Sequence, residues 1–269
     1  MRINTLYFSA TDTTKKVVTG VRTELAANTG NEDGLNIDFT LPDKRKVPPT
    51  FNTEDIVIAG VPVYAGRVPN VLVNYLKSIT GNGALAVAVV VYGNRNYDDA
   101  LVELQDILEE TGFKVIAAGA FIGEHSFSRS LAKDRPDEQD MVIVKNFAKQ
   151  IGKKIRGRHQ TKDVAIKGSR PYSKHYIPKN EKGEPADIRK VTPKTNSSCT
   201  DCKRCASLCP MGSIMYEDVA TVTGICIKCG ACIKKCPVQA KYYDDRDYLW
   251  HKEELEINFS VRREPELFI

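Results

Sequence analysis

Eight cysteines, all within the last third of the chain, constrain its fold more tightly than anything else in its 269 residues. From Cys199 the sequence reads Cys-Thr-Asp-Cys-Lys-Arg-Cys-Ala-Ser-Leu-Cys-Pro, and from Cys226 it reads Cys-Ile-Lys-Cys-Gly-Ala-Cys-Ile-Lys-Lys-Cys-Pro. Both runs have the spacing C-x2-C-x2-C-x3-C-P. Cys199, Cys202, Cys205 and Cys209 each recur 27 residues later, as do Pro210, Tyr216 and Asp218. Such an internal repeat predicts two similar half-units packed about a pseudo-twofold axis.

The spacing has a chemical reason. Three thiolates at intervals of three on a tight loop reach three corners of one [4Fe–4S] cubane. The fourth is set off by three residues and followed by Pro, so it points away from that cubane. Structural zinc and disulfides are the other common uses of cysteine. Zinc takes C-x2-C pairs, usually two per metal, and has no use for four cysteines per run with a trailing Pro. Disulfides need an oxidising compartment, and nothing in the sequence marks export. Residues 196–245 therefore resemble the two-cluster bacterial ferredoxins. The resemblance implies two [4Fe–4S] clusters with crossed ligation. One would be held by Cys199, Cys202, Cys205 and Cys236, the other by Cys226, Cys229, Cys232 and Cys209.

A ferredoxin module alone does not need this length, which suggests about two domains. Residues 1–158 alternate strand and helix patterns. Leu6-Tyr7-Phe8 is a short apolar run, followed by a helix with Val17, Val18, Val21 and Leu25 on one face. Leu35–Leu41 and Ile56–Ala59 read as the second and third strands. Pro69 opens a helix that turns Leu72, Val73, Leu76 and Ile79 inward. Leu85–Val91 is continuously apolar, as a strand buried on both faces must be. Leu101, Leu104 and Leu108 lie in phase on a helix that Gly112 stops. Val115–Phe121 is the fifth strand. The last helix, 138–156, carries Val144, Phe147, Ala148, Ile151 and Ile155. The expected fold class is α/β, a doubly wound parallel sheet of five strands, with a small α+β two-cluster module after it. Ligands of such sheets sit beyond the strand C-termini, where the strand order reverses.

Three loops belong at that end. Ser9-Ala10-Thr11-Asp12-Thr13-Thr14 leads into a helix N-terminus, and its hydroxyls and free backbone N–H groups suit a phosphate. Pro62-Val63-Tyr64-Ala65-Gly66-Arg67 follows the third strand, and Tyr92-Gly93-Asn94-Arg95-Asn96-Tyr97 the fourth. The first loop resembles the flavodoxin phosphate loop, S/T-x-T-G-x-T, with Ser9, Thr11 and Thr14 matching. The resemblance to flavodoxins covers about 150 residues, and the whole arrangement is similar to the flavodoxin–ferredoxin fusion proteins of anaerobes. It implies FMN, with Tyr64 stacked on one face of the ring, Tyr97 covering the other, and Gly93 and Asn94 offering N–H groups to its edge. The sequence departs from that pattern at Asp12, where the family has glycine. Glycine there permits φ > 0 and close approach to the phosphate. Asp tolerates the left-handed region better than most residues, but its carboxylate opposes a phosphate unless it turns outward. No G-x-G-x-x-G follows the first strand, so a dinucleotide is not expected. His125 and Arg67 are the candidates for contact with a substrate. No nucleophile–base pair or carboxylate dyad announces hydrolytic chemistry.

The remaining segments are a basic linker, 159–195, and a C-terminal tail, 246–269, expected to dock on a domain. Residues 159–198 hold nine Lys/Arg against four Asp/Glu. The linker is expected to be extended, with enough apolar content at Arg170-Pro171-Tyr172 and His175-Tyr176-Ile177-Pro178 to lie on a surface, and cutting it within 168–194 is expected to make electron transfer between the modules concentration-dependent. Thiolate-bound clusters and a flavin phosphate, about −1.5 to −2, would draw the formal +5 towards zero. The positive charge is therefore no argument for a nucleic-acid partner. No stretch approaches the ~20 apolar residues of a membrane span. The N-terminus runs straight into a strand-like segment rather than a signal peptide, so a soluble, cytoplasmic protein is expected. Three functions fit: a relay of electrons among clusters, FMN and redox partner proteins, an FMN-dependent reductase of a small acceptor such as a quinone, and a redox sensor without flavin.

Overall fold

The computed structural model describes residues 1–157 and 164–269. The start of the basic linker, 159–163, lies outside the described residues.

Sequence and burial agree most closely in β4 (Leu85–Tyr92), where all eight residues are buried. The strand lies mid-sheet with helices on both faces, so neither side of its pleat meets water. It pairs with β3 (Asp55–Pro62) on one side and β5 (Lys114–Ile122) on the other. β3 also pairs with β1 (Arg2–Tyr7), which carries β2 (Glu32–Asp38), and all these pairings are parallel. The order β2-β1-β3-β4-β5 is the flavodoxin-like doubly wound order. α1 (Thr13–Thr29) and α4 (Glu138–Arg156) pack on one face, and α2 (Asn70–Lys77) and α3 (Ala100–Glu110) on the other. Val17, Val18, Val21 and Leu25 of α1 are fully buried, as their helical spacing predicts. Each such side chain contributes about 1.5–3 kcal/mol by leaving water. α4 begins with a reciprocal capping box: Asp137 accepts from the Asp140 N–H at 3.0 Å, and Asp140 accepts from the Asp137 N–H at 2.9 Å.

The sheet has a sixth strand beyond the five expected. β8 (Glu266–Phe268) pairs antiparallel with β5, setting Phe268 opposite Ala118 and Glu266 opposite Ala120. Before it, α7 (Arg246–Asn258) crosses back over the first module, burying Tyr248, His251 and Leu255. The intervening turn is fastened to the older part of the chain. The Asn94 side chain donates to the carbonyls of Phe259 and Val261 at 2.6 and 2.9 Å. Arg135 donates to the Arg263 carbonyl at 2.7 Å, and Arg262 pairs with Asp137 at 2.6 Å.

The cysteine segment is framed by β6 (Lys194–Thr195) and β7 (Lys241–Tyr242), which pair antiparallel. Between them, α5 (Arg204–Ser207) and α6 (Ala231–Lys234) sit 27 residues apart, in register with the sequence repeat. The backbone repeats too. Asp201 and Lys228, Lys203 and Gly230, and Gly212 and Gln239 are matched pairs, all with positive φ. The Sγ of Cys209 accepts from the Ser213 N–H at 3.3 Å, and that of Cys236 from the Ala240 N–H at 3.2 Å.

Candidate functional site

The strand order reverses between β1 and β3, and the chemistry-bearing loops gather there. In the first loop the Ser9 hydroxyl accepts from the Lys15 N–H at 3.0 Å, and the Thr40 hydroxyl accepts from the Ser9 N–H at 2.8 Å. Thr14 is 1 % exposed, and its Oγ1 has no hydrogen-bond partner among the described residues. A buried hydroxyl without a partner is costly. Here it lies in the first turn of a 17-residue helix whose free N–H groups favour an anion. Asp12 stands in the left-handed region, φ 66° and ψ −2°, the conformation for which glycine is usually chosen. Its carboxylate turns away from the loop to meet the Lys235 ammonium at 2.8 Å.

The second loop is a tight reversal in which Tyr64 and Arg67 exchange backbone hydrogen bonds of 3.0 and 3.1 Å. Ala65 and Gly66 at its tip both have positive φ. A Cβ on Gly66 would lie 2.1 Å from the Asp98 carboxylate. Arg67 lines neither of the two cavities described below. Glu103 binds it through two hydrogen bonds of 2.8 Å, and its guanidinium lies 4.4 Å from the centre of the Tyr172 ring. In the third loop Tyr97 does not stand free to cover a ring. It is 5 % exposed, packs 5.6 Å from Tyr92, and donates to Glu266 of β8 at 3.1 Å. Asn94 is likewise committed to the tail through its side chain. Arg95 pairs with Asp98 and lies 4.2 Å over the ring of Tyr176.

Two adjoining cavities join these loops. The smaller is lined by Ala10, Thr11, Thr13 and Thr14, by Pro62, Val63 and Tyr64, by Gly93 and His125, and by Cys229. The larger, about 710 Å³, opens on the other side of Tyr64, Gly93 and His125, towards Arg95, Tyr176 and His251. A volume of that size suits a small-molecule ligand. His125 borders both. Its Nδ1 accepts from the Phe127 N–H at 3.1 Å, which assigns its proton to Nε2. Burial first, then the nearby Lys234, hold its pKa down at about 3, so it is neutral at physiological pH.

Tyr176 and His251 come from segments where the sequence offers only scattered aromatic residues. The described part of the linker lies along the first module as a strap. Asp99 accepts from the N–H groups of Ser169 and Ser173 at 2.8 and 2.7 Å. Asp106 accepts from the Tyr172 hydroxyl at 2.6 Å and pairs with Arg170. The Tyr176 N–H donates to the Ala65 carbonyl at 2.9 Å, and its ring stacks on His251 at 5.6 Å. The apolar content of Arg170-Pro171-Tyr172 and His175-Tyr176-Ile177-Pro178 is the sequence signal that this stretch lies on a surface.

Four cysteines line one compartment: Cys209, Cys226, Cys229 and Cys232, closed by Tyr243 and Ile214. It joins three thiols of the second run to the last thiol of the first. Burial pushes the Cys229 thiol up to about 12, and the same cause raises Cys232. The Tyr243 hydroxyl lies 3.5 Å from the Cys226 sulfur. In the other half Cys199, Cys205 and Cys209 pack around Ile214 and Val219, while Cys202 is exposed. Burial opposes the thiolate of Cys236, but backbone N–H groups led by that of Ala240 outweigh it and hold this pKa low. Among the described residues no three His, Cys, Asp or Glu side chains converge as a single ion requires; a cubane takes each thiolate at a separate iron corner.

The inner compartment is pressed onto the switch-point loops. A Cβ on Gly230, φ 74°, would lie 2.4 Å from the Ser126 carbonyl oxygen, so only glycine allows this approach. Ala231 is buried in the main core, and Cys229 packs against it. Lys234 pairs with Glu124 and donates to the His125 carbonyl at 2.7 Å. Arg129 donates to the Ile233 carbonyl at 3.0 Å.

Residues 198–241 match the family model described as a 4Fe-4S dicluster domain. A comparison with curated proteins finds no match. Among solved structures, the α/β part is similar to a flavodoxin from the domain Archaea at 14 % identity, with 58 % of this chain and 99 % of that one covered and a TM-score of 0.41. A Fusobacterium nucleatum flavodoxin bound to flavin mononucleotide gives 16 %, 58 %, 98 % and 0.37. The rubredoxin oxygen:oxidoreductase of Desulfovibrio gigas gives 16 %, 59 %, 37 % and 0.40. The chain joins a flavodoxin-like sheet to a 4Fe-4S dicluster domain. No helix among the described residues is long and apolar enough to cross a membrane.

Proposed function

We propose that this chain is an electron-transfer iron–sulfur flavoprotein that relays electrons between two [4Fe–4S] clusters and FMN. One observation carries the reading. The compartment of Cys209, Cys226, Cys229 and Cys232 touches the hydroxyl-loop cavity through Cys229, which lines both. These four thiols hold an inner cluster, and Cys199, Cys202, Cys205 and Cys236 hold an outer one. The residues fit a flavin phosphate, because the buried Thr14 hydroxyl has no partner among the described residues and lies in the first turn of α1, whose N-terminus favours an anion. When bound, FMN exchanges electrons singly or in pairs, whereas a cubane takes one at a time. The chain supplies the rest. Ser9, Thr11 and Thr14 surround the phosphate, with Ala10, Thr13, Pro62 and Val63 shaping that cavity. Tyr64 and Gly93 stand between the two cavities, beside the inner thiols. Burial around the inner cysteines and exposure of Cys202 give the clusters different surroundings, which set cluster potentials. The outer cluster is where a redox partner protein docks.

The larger cavity favours a second reading. Its wall of Tyr64, His125, Tyr176 and His251 suits a small acceptor reduced beside the flavin, with the neutral His125 holding a proton at Nε2. The chain would then be a reductase fed by its own clusters.

Anaerobically purified protein tests the proposal. It should contain about eight iron and eight sulfide per chain, with flavin released as FMN. Rapid reduction by a one-electron donor should bleach cluster and flavin signals in sequence, at a rate independent of protein concentration. Native zinc, a single cluster or an absence of flavin would overturn it.

A further inference from the structure

We infer that the cysteine module completes the flavin-phosphate site, with Lys235 as the positioning residue that makes Asp12 compatible with a phosphate. The inference rests on the FMN reading above.

Asp12 poses an electrostatic problem. It occupies the turn immediately before α1, in the left-handed region, on the loop whose buried Thr14 hydroxyl has no partner. A carboxylate there repels a phosphate. Rotation outward relieves this only if something holds the side chain out, and the partner is not on the same module. Lys235 lies one residue before Cys236 and meets the Asp12 carboxylate at 2.8 Å. The Lys235 side chain is 21 % exposed and that of Asp12 62 %, so the lysine is the better sequestered partner. The pair is neutral overall, so the carboxylate no longer presents a net negative charge to the loop.

Lys235 is also held in place independently. The preceding Lys234 is anchored by Glu124 and the His125 carbonyl, and Gly230 is locked against Ser126. The segment that carries the ligands of the inner compartment thus also fixes the charge beside the phosphate loop. A flavodoxin-like sheet lacking this segment would expose an uncompensated Asp12. FMN affinity in this chain is therefore a property of the docked pair of modules.

The test is FMN affinity in the full, cluster-loaded chain, measured by flavin fluorescence after FMN is stripped and titrated back. Lys235→Gln leaves the carboxylate unpaired and should weaken FMN about two- to fivefold, the scale of a partly exposed charge pair. Lys235→Arg should restore most of the affinity. Asp12→Gly removes the group that Lys235 compensates, so Lys235→Gln should cost much less in that background. The wild-type Kd should rise with salt more steeply than that of Lys235→Gln. Retained cluster absorption and melting temperature in Lys235→Gln separate this role from a folding role, because Lys234 and Gly230 still dock the module. Equal FMN affinity in wild type and Lys235→Gln, or purely additive effects in the double variant, would overturn the inference. Failure of the wild-type chain to bind FMN at all would instead overturn the reading on which it rests.

Discussion

Residues that the sequence repeat makes equivalent have different surroundings, and that difference has chemical consequences. Tyr216 and Tyr243 occupy the same place in the two halves. Tyr216 is 57 % exposed, whereas Tyr243 is 8 % exposed with its hydroxyl 3.5 Å from the Cys226 sulfur. A hydrogen bond to a ligating sulfur stabilises the added charge of the reduced cluster. Tyr243→Phe should therefore lower the potential of one cluster, read by redox titration with electron paramagnetic resonance, while Tyr216→Phe leaves both unchanged. His125 offers a pH test. Its folded pKa, about 3, lies below the ordinary value near 6.5. The unfolded chain therefore takes up a proton first as pH falls. The stability due to the neutral ring is complete above about pH 6.5 and is lost towards pH 3, by up to about 1.36 kcal/mol per unit. The melting temperature should fall between pH 7 and 5 in the wild type, and fall less in His125→Asn. An equal fall in both would show that the ring does not carry this dependence.

At the scale of elements, legibility followed the range over which each element is decided. β4 announces itself in eight contiguous apolar residues, and α4 in a local period ending at Arg156, so both were readable at sight. β8 is three residues, Glu-Leu-Phe, whose pairing is decided by the distant edge of β5; the apolar end Leu267-Phe268-Ile269 signals docking but not its partner. α7 was missed for a related reason: it lacks a clean apolar stripe, burying only Tyr248, His251 and Leu255. In the site, the hydroxyl loop and the eight cysteines were legible because spacing itself encodes their chemistry. Tyr97 and Arg67 are less legible, because Glu266 and Glu103, which engage them, arrive from other elements. Removing residues 264–269 tests the edge strand. It should unpair Ala118–Ala120, lower the melting temperature by several degrees and promote association through the opened edge. A fully monomeric variant of unchanged stability would mean that β8 contributes nothing to closure.

For the whole molecule, the two modules are held at more points than a linker provides. The strap is fixed at Asp99, Asp106 and Ala65, the cysteine module at Glu124, Ser126 and Asp12, and the tail at Asn94, Arg135 and β5. The exposed turn at Asn180–Glu184 is a natural place to nick the chain. The nicked protein should still elute as one species and pass electrons at a rate independent of concentration. Separation of the fragments on gel filtration would show that the tether, not the contacts, holds the modules together.

The pairing of β8 with β5 also sets an order in time. Residues 266–268 leave the ribosome long after residues 118–120, and everything that carries cysteine is made between them. Until β8 arrives, the β5 edge is open and the cysteine runs are not yet enclosed by the returning tail. Any strand that closes the β5 edge therefore forms only after both cysteine runs have been made.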